Sequence, residues 1–482
     1  MYRTIKVSVK KEDPLYNYCD NITKLTNNLS NATLFRIRQV MTGLNKDPQS
    51  RTVNENEIIS EIERALPNMG PKYSMPTVKK WFLSYYFLDS LLKTTRNPDY
   101  VTNDLPKHTA QHAIKTVVRD MKGFCAAARA YKKNPEAFSS KPKLPGYHKS
   151  GGNTTAIISN QSCVIKERDN MYVAKLPGTK LTCNLGISVP GKLKQATITP
   201  YHGIFIIVFT FDDGAKPKPV SNKPSRVCAI DVGVNNLAAI TNNIGKPSLL
   251  FKGGVIKSAN QWYNKKMAEM QSCQTKGTTN KFVSTPESDA LCIKRNNIIE
   301  DCFLKTGKRI IDWCIANDID TIVVGTNKGW KVESHLGRIN NQNFVQIPFE
   351  RLRRILQYQS ERNGIRFIEQ EESYTSKASF LDADVIPVYG QTEGNTIFSG
   401  KRIKRGLYRS SNGTVINADL NGSANIGRKC FPELFSNIAN TSFDSVIVYK
   451  YPDIDDALAN KQKQKSNYTV SKSKLRRQRK NK

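Results

Sequence analysis

Acidic side chains stand at three separated places in this chain from which carboxylates could converge. Asp231 lies in VCAIDVGVNN, after a mostly apolar run and before Val232. An acid inside a buried apolar run is costly unless it is paired or binds metal. The alternative is an aspartate that opens the following turn. Asp419, in INADLNGSAN, is the only acid among small, neutral residues. Those residues let a backbone approach closely, or else Asp419 caps the helix that follows. The third group, Glu369, Glu371 and Glu372, ends IRFIEQEE. Read alone, it is an exposed acidic strand end. Carboxylates gathered at strand ends suit Mg²⁺, which prefers hard oxygen ligands. Two such ions about 3.5–4 Å apart can stabilise the attacking and leaving oxygens when a phosphodiester is cut.

These acids need a scaffold, and the second half of the sequence supplies a mixed α/β pattern. RVCAIDVGV reads as a buried strand, with NLAAITNN and SLLFKGG as short neighbours. Residues 258–317 read as helical, interrupted by TKGTTNKFVSTPESD. DTIVVG is a strand with too few polar positions to face water. IPFERLRRILQYQSERNG has Pro348 near its start, an apolar face and Gly364 at its end, as a helix should. IRFIEQ is the next strand, residues 373–413 form a loop-like insertion, and TVINADLNGSANIGRK closes as a helix. Strands and helices in this order predict an RNase H-like domain. There the fourth strand, DTIVVG, should end in an acid and instead has Gly325. Neighbouring strands lie roughly 4.8 Å apart, so a glutamate ending the fifth strand could project to the same point.

Before this domain, YRTIKVSVK alternates as a strand does, and residues from about 15 to 135 carry apolar residues at helical spacing with Lys and Arg between them. After the breaker PEAFSSKPKLPGYHKSGG, short alternating segments predict a small antiparallel β domain to about residue 215. DDGAKPKPVSNKPS is a linker. The expected fold class is therefore multidomain α+β.

Lys and Arg total 74 against 41 Asp and Glu, a formal net charge of +33. Such a charge would self-repel without a polyanionic partner, and nucleic acid is the obvious one. The chain has no apolar run of membrane-spanning length and no secretory h-region at MYRTIKVSVKKEDP, so a soluble, intracellular protein is expected. Its ten cysteines include no C-x-x-C pair, which argues against a zinc ribbon. His108 and His112, in HTAQH, read as ordinary helix-surface histidines, because Thr109 occupies the general-base position of a zinc protease motif. From Lys461 on there are ten Lys/Arg and no acid, so a disordered tail is expected.

AIDVGVNNLAAIT, ESYTSK, FSGKRIKRGLYRS and INADLNGSANIGRK resemble the RuvC-like half of TnpB, a transposon-encoded RNA-guided nuclease related to type V CRISPR effectors. More closely they resemble Fanzor, its eukaryotic and viral relative, of the second class. The resemblance covers about residues 226–430. It implies an Asp, Glu, Asp set in three RuvC motifs, with the middle acid missing at Gly325 and replaced by the glutamate before the TS pair. Carried over, the Mg²⁺ ligands and catalytic residues are Asp231, Glu372 and Asp419, with Glu371 as rival to Glu372. The two glutamates are adjacent on a strand, so they point to opposite faces.

The resemblance further implies a guide RNA encoded beside the gene as cofactor, and target double-stranded DNA with a short flanking motif as partner. Relatives carry a cysteine-bearing ribbon after TS; this insertion has no cysteine, so no zinc is expected, and a hairpin held by packing alone is. Its Lys401, Arg402, Lys404, Arg405 and Arg409 are placed to grip a nucleic-acid backbone, or are merely solvated. The implied layout has a first wedge strand at residues 1–14, a helical recognition domain at 15–140 and a wedge β-barrel at 141–222. The RuvC-like domain takes 223–372 and 414–440, with the insertion at 373–413 and a C-terminal extension at 441–482. The implied location is the nucleus or the cytoplasmic viral factory of a eukaryotic host. A nuclease-inactive RNA-guided DNA-binding protein is the alternative, and Gly325 is the feature that favours it.

Overall fold

The computed structural model describes residues 1–221, 223–277, 279–327, 346–388, 397–436 and 441–452. The basic tail from Lys461 lies outside the described residues. The chain divides into two compact units, Met1–Ala215 and Lys216–Lys482.

In the first unit, β1 (Tyr2–Val9) precedes five helices: α1 (Tyr16–Gly43), α2 (Val53–Met69), α3 (Tyr85–Thr94), α4 (Pro98–Val101) and α5 (Lys107–Lys133). Strands β2 (Ala156–Ser159), β3 (Val164–Arg168), β4 (Met171–Lys175), β5 (Thr182–Gly186), β6 (Lys192–Tyr201) and β7 (Ile204–Asp212) follow. The α2 start is set by Thr52 and Glu55, which cap each other's backbone amides; such a cap is worth about 1 kcal/mol. Leu29, Ile37, Ile62, Leu88, Leu91, Ile114 and Met121 meet in the helical core.

The antiparallel strands form two sheets, ordered β1-β7-β6-β2 and β3-β4-β5. Phe205, Ile207, Phe209 and Phe211 alternate inward from β7 into a core shared by both sheets, and the first turns of α1 add Cys19 and Ile22 to it. Among the described residues these ladders stay two sheets and do not close into a ring. His108 and His112 are half-buried, not simply surface residues. The end of β2 packs on α5, so His108 Nδ1 lies 2.8 Å from Ser162 Oγ, and burial lowers the pKa of His112.

The second unit is built on β8 (Val227–Asp231), β9 (Asn236–Asn242) and β10 (Ser248–Lys252), joined as an antiparallel meander. Helices α6 (Gly254–Thr275) and α7 (Pro286–Ala316) lead to β11 (Thr321–Thr326); α8 (Phe349–Asn363) leads to β12 (Arg366–Glu371). β11 lies between β8 and β12, parallel to both. The insertion carries β13 (Lys401–Lys404) and β14 (Leu407–Arg409); β15 (Val415–Asn417) and α9 (Ala418–Cys430) follow it.

Strand β16 (Val446–Tyr449) then joins parallel to β10, giving the six-stranded order β12-β11-β8-β9-β10-β16. The sequence reading has no strand there. Its four residues, VIVY, are too short a run to signal one before β10 offers an open edge. The insertion also differs from a hairpin held by packing alone. With β15 it makes a three-stranded sheet, pinned by buried Tyr408, whose hydroxyl donates to Lys377 O, and by Asp382 and Asp384, which accept from Ser411 and Ser399.

Both faces of the inner strands of the large sheet are covered, which is why β8, β9, β10 and β11 are almost wholly buried and mostly apolar. Cys228 and Ile230 of β8 and Ile322 and Val324 of β11 face a core with α7 and α8. Val227, Ala229 and Val323 face the opposite core, with Leu420, Ala424 and Ile426 of α9. Side chains alternate with period two along a strand. Asp231 therefore shares the α9 face with Val227 and Ala229, and Gly325 shares it with Val323. On β12, Phe367 packs on the α7/α8 core and Ile368 on the α9 core. Counting in twos from Ile368 reaches Glu372.

Candidate metal and nucleic-acid site

Asp231 is the last residue of β8. Helix α9 passes it closely: a methyl group on Gly422 would lie 2.8 Å from Asp231 Oδ2. Ser423 fixes this approach, donating to Ala229 O at 2.8 Å and accepting from Thr241 N at 3.1 Å. Asn421 and Asn425, also buried, donate to Ala378 O and tie the loop after Glu372 to the same helix. The small polar run NGSAN thus works as a set of buried ties as well as a thin contact surface.

Asp419 stands in the first turn of α9 but does not cap it. Asn417 is the cap, accepting from the amides of Asp419 and Leu420. The Asp419 carboxylate accepts instead from Asn236 Nδ2 at 2.7 Å and from the Arg402 guanidinium at 3.2 Å. Lys252 in turn donates to Asn236 Oδ1 at 2.9 Å, which orients the amide.

Glu372 follows β12, and its amide donates to Thr326 O. Its carboxylate occupies the space that a side chain at 325 would fill, for a methyl group on Gly325 would overlap Glu372 Oε2. Oε1 has only a marginal contact, 3.5 Å, from Asn327. Oε2 is buried without any hydrogen-bond partner. Glu371 faces elsewhere: Lys429 donates to it at 2.5 Å and the Ser373 amide at 2.6 Å. Glu369 lies 3.9 Å from Arg353 of α8.

The electrostatics separate these acids. Burial, then the charges of Glu372 and Asp419, push Asp231 well above the usual carboxylate range, with Arg402 opposing. Burial pushes Glu372 up to about 7; Arg353 and Lys429 oppose it and Glu371 adds to it. Burial would raise Glu371 too, but the hydrogen bonds from Lys429 and Ser373 outweigh it, and its pKa is lowered.

The arrangement therefore puts Asp231 within reach of the charges of both Glu372 and Asp419 and leaves Glu371 and Glu369 in ion pairs. As the side chains stand, no group of three or more His, Cys, Asp or Glu among the described residues is gathered tightly enough to hold an ion. Asp419 is engaged by Asn236 and Arg402. The donor set nonetheless fits a hard divalent cation: all three are carboxylates, Glu372 Oε2 is unpartnered, and Asp231 and Glu372 both resist carrying charge uncompensated. Lys401, Lys404, Arg405 and Arg409 are exposed on the insertion sheet, and of the five basic residues Arg402 alone makes an ion pair with a proposed ligand. Asn236, Arg353 and Lys429 were missed by sequence reasoning. Asn236 had one signal, a polar residue followed by the apolar run Leu237 to Ile240.

A pH dependence follows from Glu372. Its folded pKa, about 7, exceeds the unfolded value of about 4.3, so between these values the folded state binds more protons. Stability is thus greatest below about pH 4.3 and falls as pH rises from there through 7, by up to about 4 kcal/mol from this group. Denaturant unfolding of wild type and Glu372→Gln in chelator, at several pH values from 5 to 8, is expected to show a shallower slope for the variant.

Residues 213–331 match the family described as probable transposase, and residues 349–426 match the Cas12f1-like TNB domain. The first segment holds Asp231 and Gly325; the second holds Glu372, the insertion and Asp419. No curated protein matches the chain. A solved Cas12f1–sgRNA–target DNA complex contains a chain of similar fold, with a TM-score of 0.50 and 12% identity, covering 84% of this chain and 81% of that one. The mini-RNA-guided endonuclease CRISPR-Cas phi3 aligns over 91% of this chain and 93% of its own, at 9% identity and a TM-score of 0.48. Among the described residues no helix is long and apolar enough to cross a membrane.

Proposed function

We propose that this chain is an RNA-guided DNA endonuclease of the Fanzor kind, second class, that cuts DNA with Asp231, Glu372 and Asp419 and Mg²⁺. The observation that carries the reading is the buried Glu372 carboxylate in the space left by Gly325, its Oε2 without a hydrogen-bond partner and its charge acting on Asp231. An enzyme that had simply lost its middle acid would have no reason to keep a second acid there. When bound, Mg²⁺ supplies positive charge for the scissile phosphate and an activated water. The chain's own part is to hold three carboxylates at the ends of β8, β12 and the start of α9. Arg402 would hand Asp419 to the ion and take up a phosphate instead, beside Lys401, Lys404, Arg405 and Arg409.

The net charge of +33 fits a partner set of guide RNA and target double-stranded DNA with a short flanking motif. The solved Cas12f1 relative, bound to sgRNA and target DNA, supports the same partners. On this reading residues 15–140 are the recognition domain, 1–14 and 141–222 the wedge, and 223–372 with 414–440 the RuvC-like domain. The protein would work in the nucleus or a cytoplasmic viral factory.

The second reading, a nuclease-inactive RNA-guided binder, draws on the Arg402–Asp419 pair and the ungathered acids. The two are separated by copurifying the protein with its native RNA and offering a matching duplex with Mg²⁺. Cleavage is expected, and at saturating Mg²⁺ it should vanish with Glu372→Ala but survive Glu371→Ala. Tight binding without cleavage at any Mg²⁺ concentration would establish the binder.

A further inference from the structure

We infer that Lys429 is a positioning residue for the metal site, selecting which of two adjacent glutamates faces it. This rests on the functional reading above and deepens it. Lys429 lies in the last turn of α9, the helix whose first turn carries Asp419. Its side chain is only 10% exposed, yet its ammonium is fully used. It donates to Glu371 Oε2 at 2.5 Å, to Ser373 O at 3.2 Å and to Pro387 O at 3.3 Å. An ammonium has three donors, and here each has an acceptor. Two of the three flank Glu372 in sequence, one on each side.

That matters because Glu372 sits just past the end of β12, where a strand frays. A slip of one residue would turn Glu372 outward and bring Glu371 in. The backbone on either side is held by other bonds: Glu372 N donates to Thr326 O, and Thr375 N and Oγ1 donate to Glu372 O. None of these distinguishes Glu371 from Glu372, since a slipped strand can make backbone bonds too. The Lys429–Glu371 pair does distinguish them, because it engages the side chain that must stay out. One rigid helix therefore carries an acid at one end and, at the other, the cation that fixes the partner acid.

The test compares wild type, Lys429→Met, Lys429→Arg and Glu371→Gln, each copurified with its RNA. Mn²⁺ binding is followed by electron paramagnetic resonance without target DNA, and cleavage is followed as a function of Mg²⁺. Loss of such an outer ligand-orienting contact costs roughly 10–100-fold in metal affinity. Lys429→Met and Glu371→Gln should each weaken Mn²⁺ about tenfold and raise the half-saturating Mg²⁺ by a similar factor. Lys429→Arg should recover most of both. If Lys429→Met does not fold, the other two variants carry the test. A lower melting temperature with unchanged Mn²⁺ affinity in the folded complex would reduce Lys429 to a structural tie and overturn the inference. If wild type binds no Mn²⁺ that Glu372→Ala removes, the metal site itself is wrong and the inference falls with it.

Discussion

Gly325→Ala will cut DNA cleavage by at least about 100-fold while leaving guide-RNA binding at the wild-type level. The added methyl group would overlap Glu372 Oε2 and come within 2.6 Å of Ile426 Cδ1. Both atoms are at the far ends of side chains, so the fold can yield: Glu372 swings away and Ile426 repacks. Overpacking of this kind costs about 1–3 kcal/mol, which a folded domain of this size can absorb. A carboxylate moved by about 1 Å from its working place costs on the order of 100-fold in rate. The measurement is single-turnover cleavage by protein–RNA complex normalised to active binding. Unimpaired cleavage would mean that Glu372 is not confined to the space above Gly325. The same substitution at Gly413, whose surroundings are open, would test φ strain alone, since its φ is +90°.

Asp231→Asn will abolish cleavage, by at least about a thousandfold, and at the same time stabilise the metal-free protein. The two effects share one cause. Asp231, the last residue of β8, is pressed against Gly422, with Glu372 and Asp419 adding their charges. Its ionised form is favoured only if a cation shares the site, so a neutral amide of the same shape relieves repulsion that the metal would otherwise absorb. A gain of about 1–3 kcal/mol, the usual scale of an uncompensated buried polar group, is expected in chelator. With Mg²⁺ present the ranking should narrow or invert, because only wild type gains from binding the ion. Thermal unfolding with and without Mg²⁺ reads this directly. An Asn variant less stable than wild type in chelator would show that Asp231 is satisfied by the protein.

Part of the candidate site could be read from residue types. Asp231 stands out because an acid ends a run of Val, Cys, Ala and Ile, whereas the acids ending the fifth strand, read alone, are an exposed strand end, and only the resemblance singled out Glu372. The resemblance favoured Glu372 over its rival Glu371, but which of the two shares a face with Asp231 follows only from which apolar residue of β12 faces which core. Ile368 and Phe367 look equally suited to either. Asp419 was open between ligand and cap because both roles want a carboxylate at a helix start. Asn417, two residues earlier, takes the capping role and leaves Asp419 to Asn236 and Arg402. Lys429 gave no sign at all, being one more lysine in a chain with 74 Lys and Arg. Strand β16 was likewise invisible, since a four-residue strand is specified by its neighbour's open edge more than by its own pattern.

By itself the sequence determined the alternation of buried strands and amphipathic helices, and with it the places where an acid would be conspicuous, because burial preference and period are local properties of the chain. Only the tertiary structure decided which acids meet. Adjacency of β8, β11 and β12, the face each residue takes, and the closeness that Gly325 and Gly422 permit are set by packing between segments that lie up to about 190 residues apart, as with the Ser423–Ala229 bond. Distance along the chain carries no record of distance across a sheet.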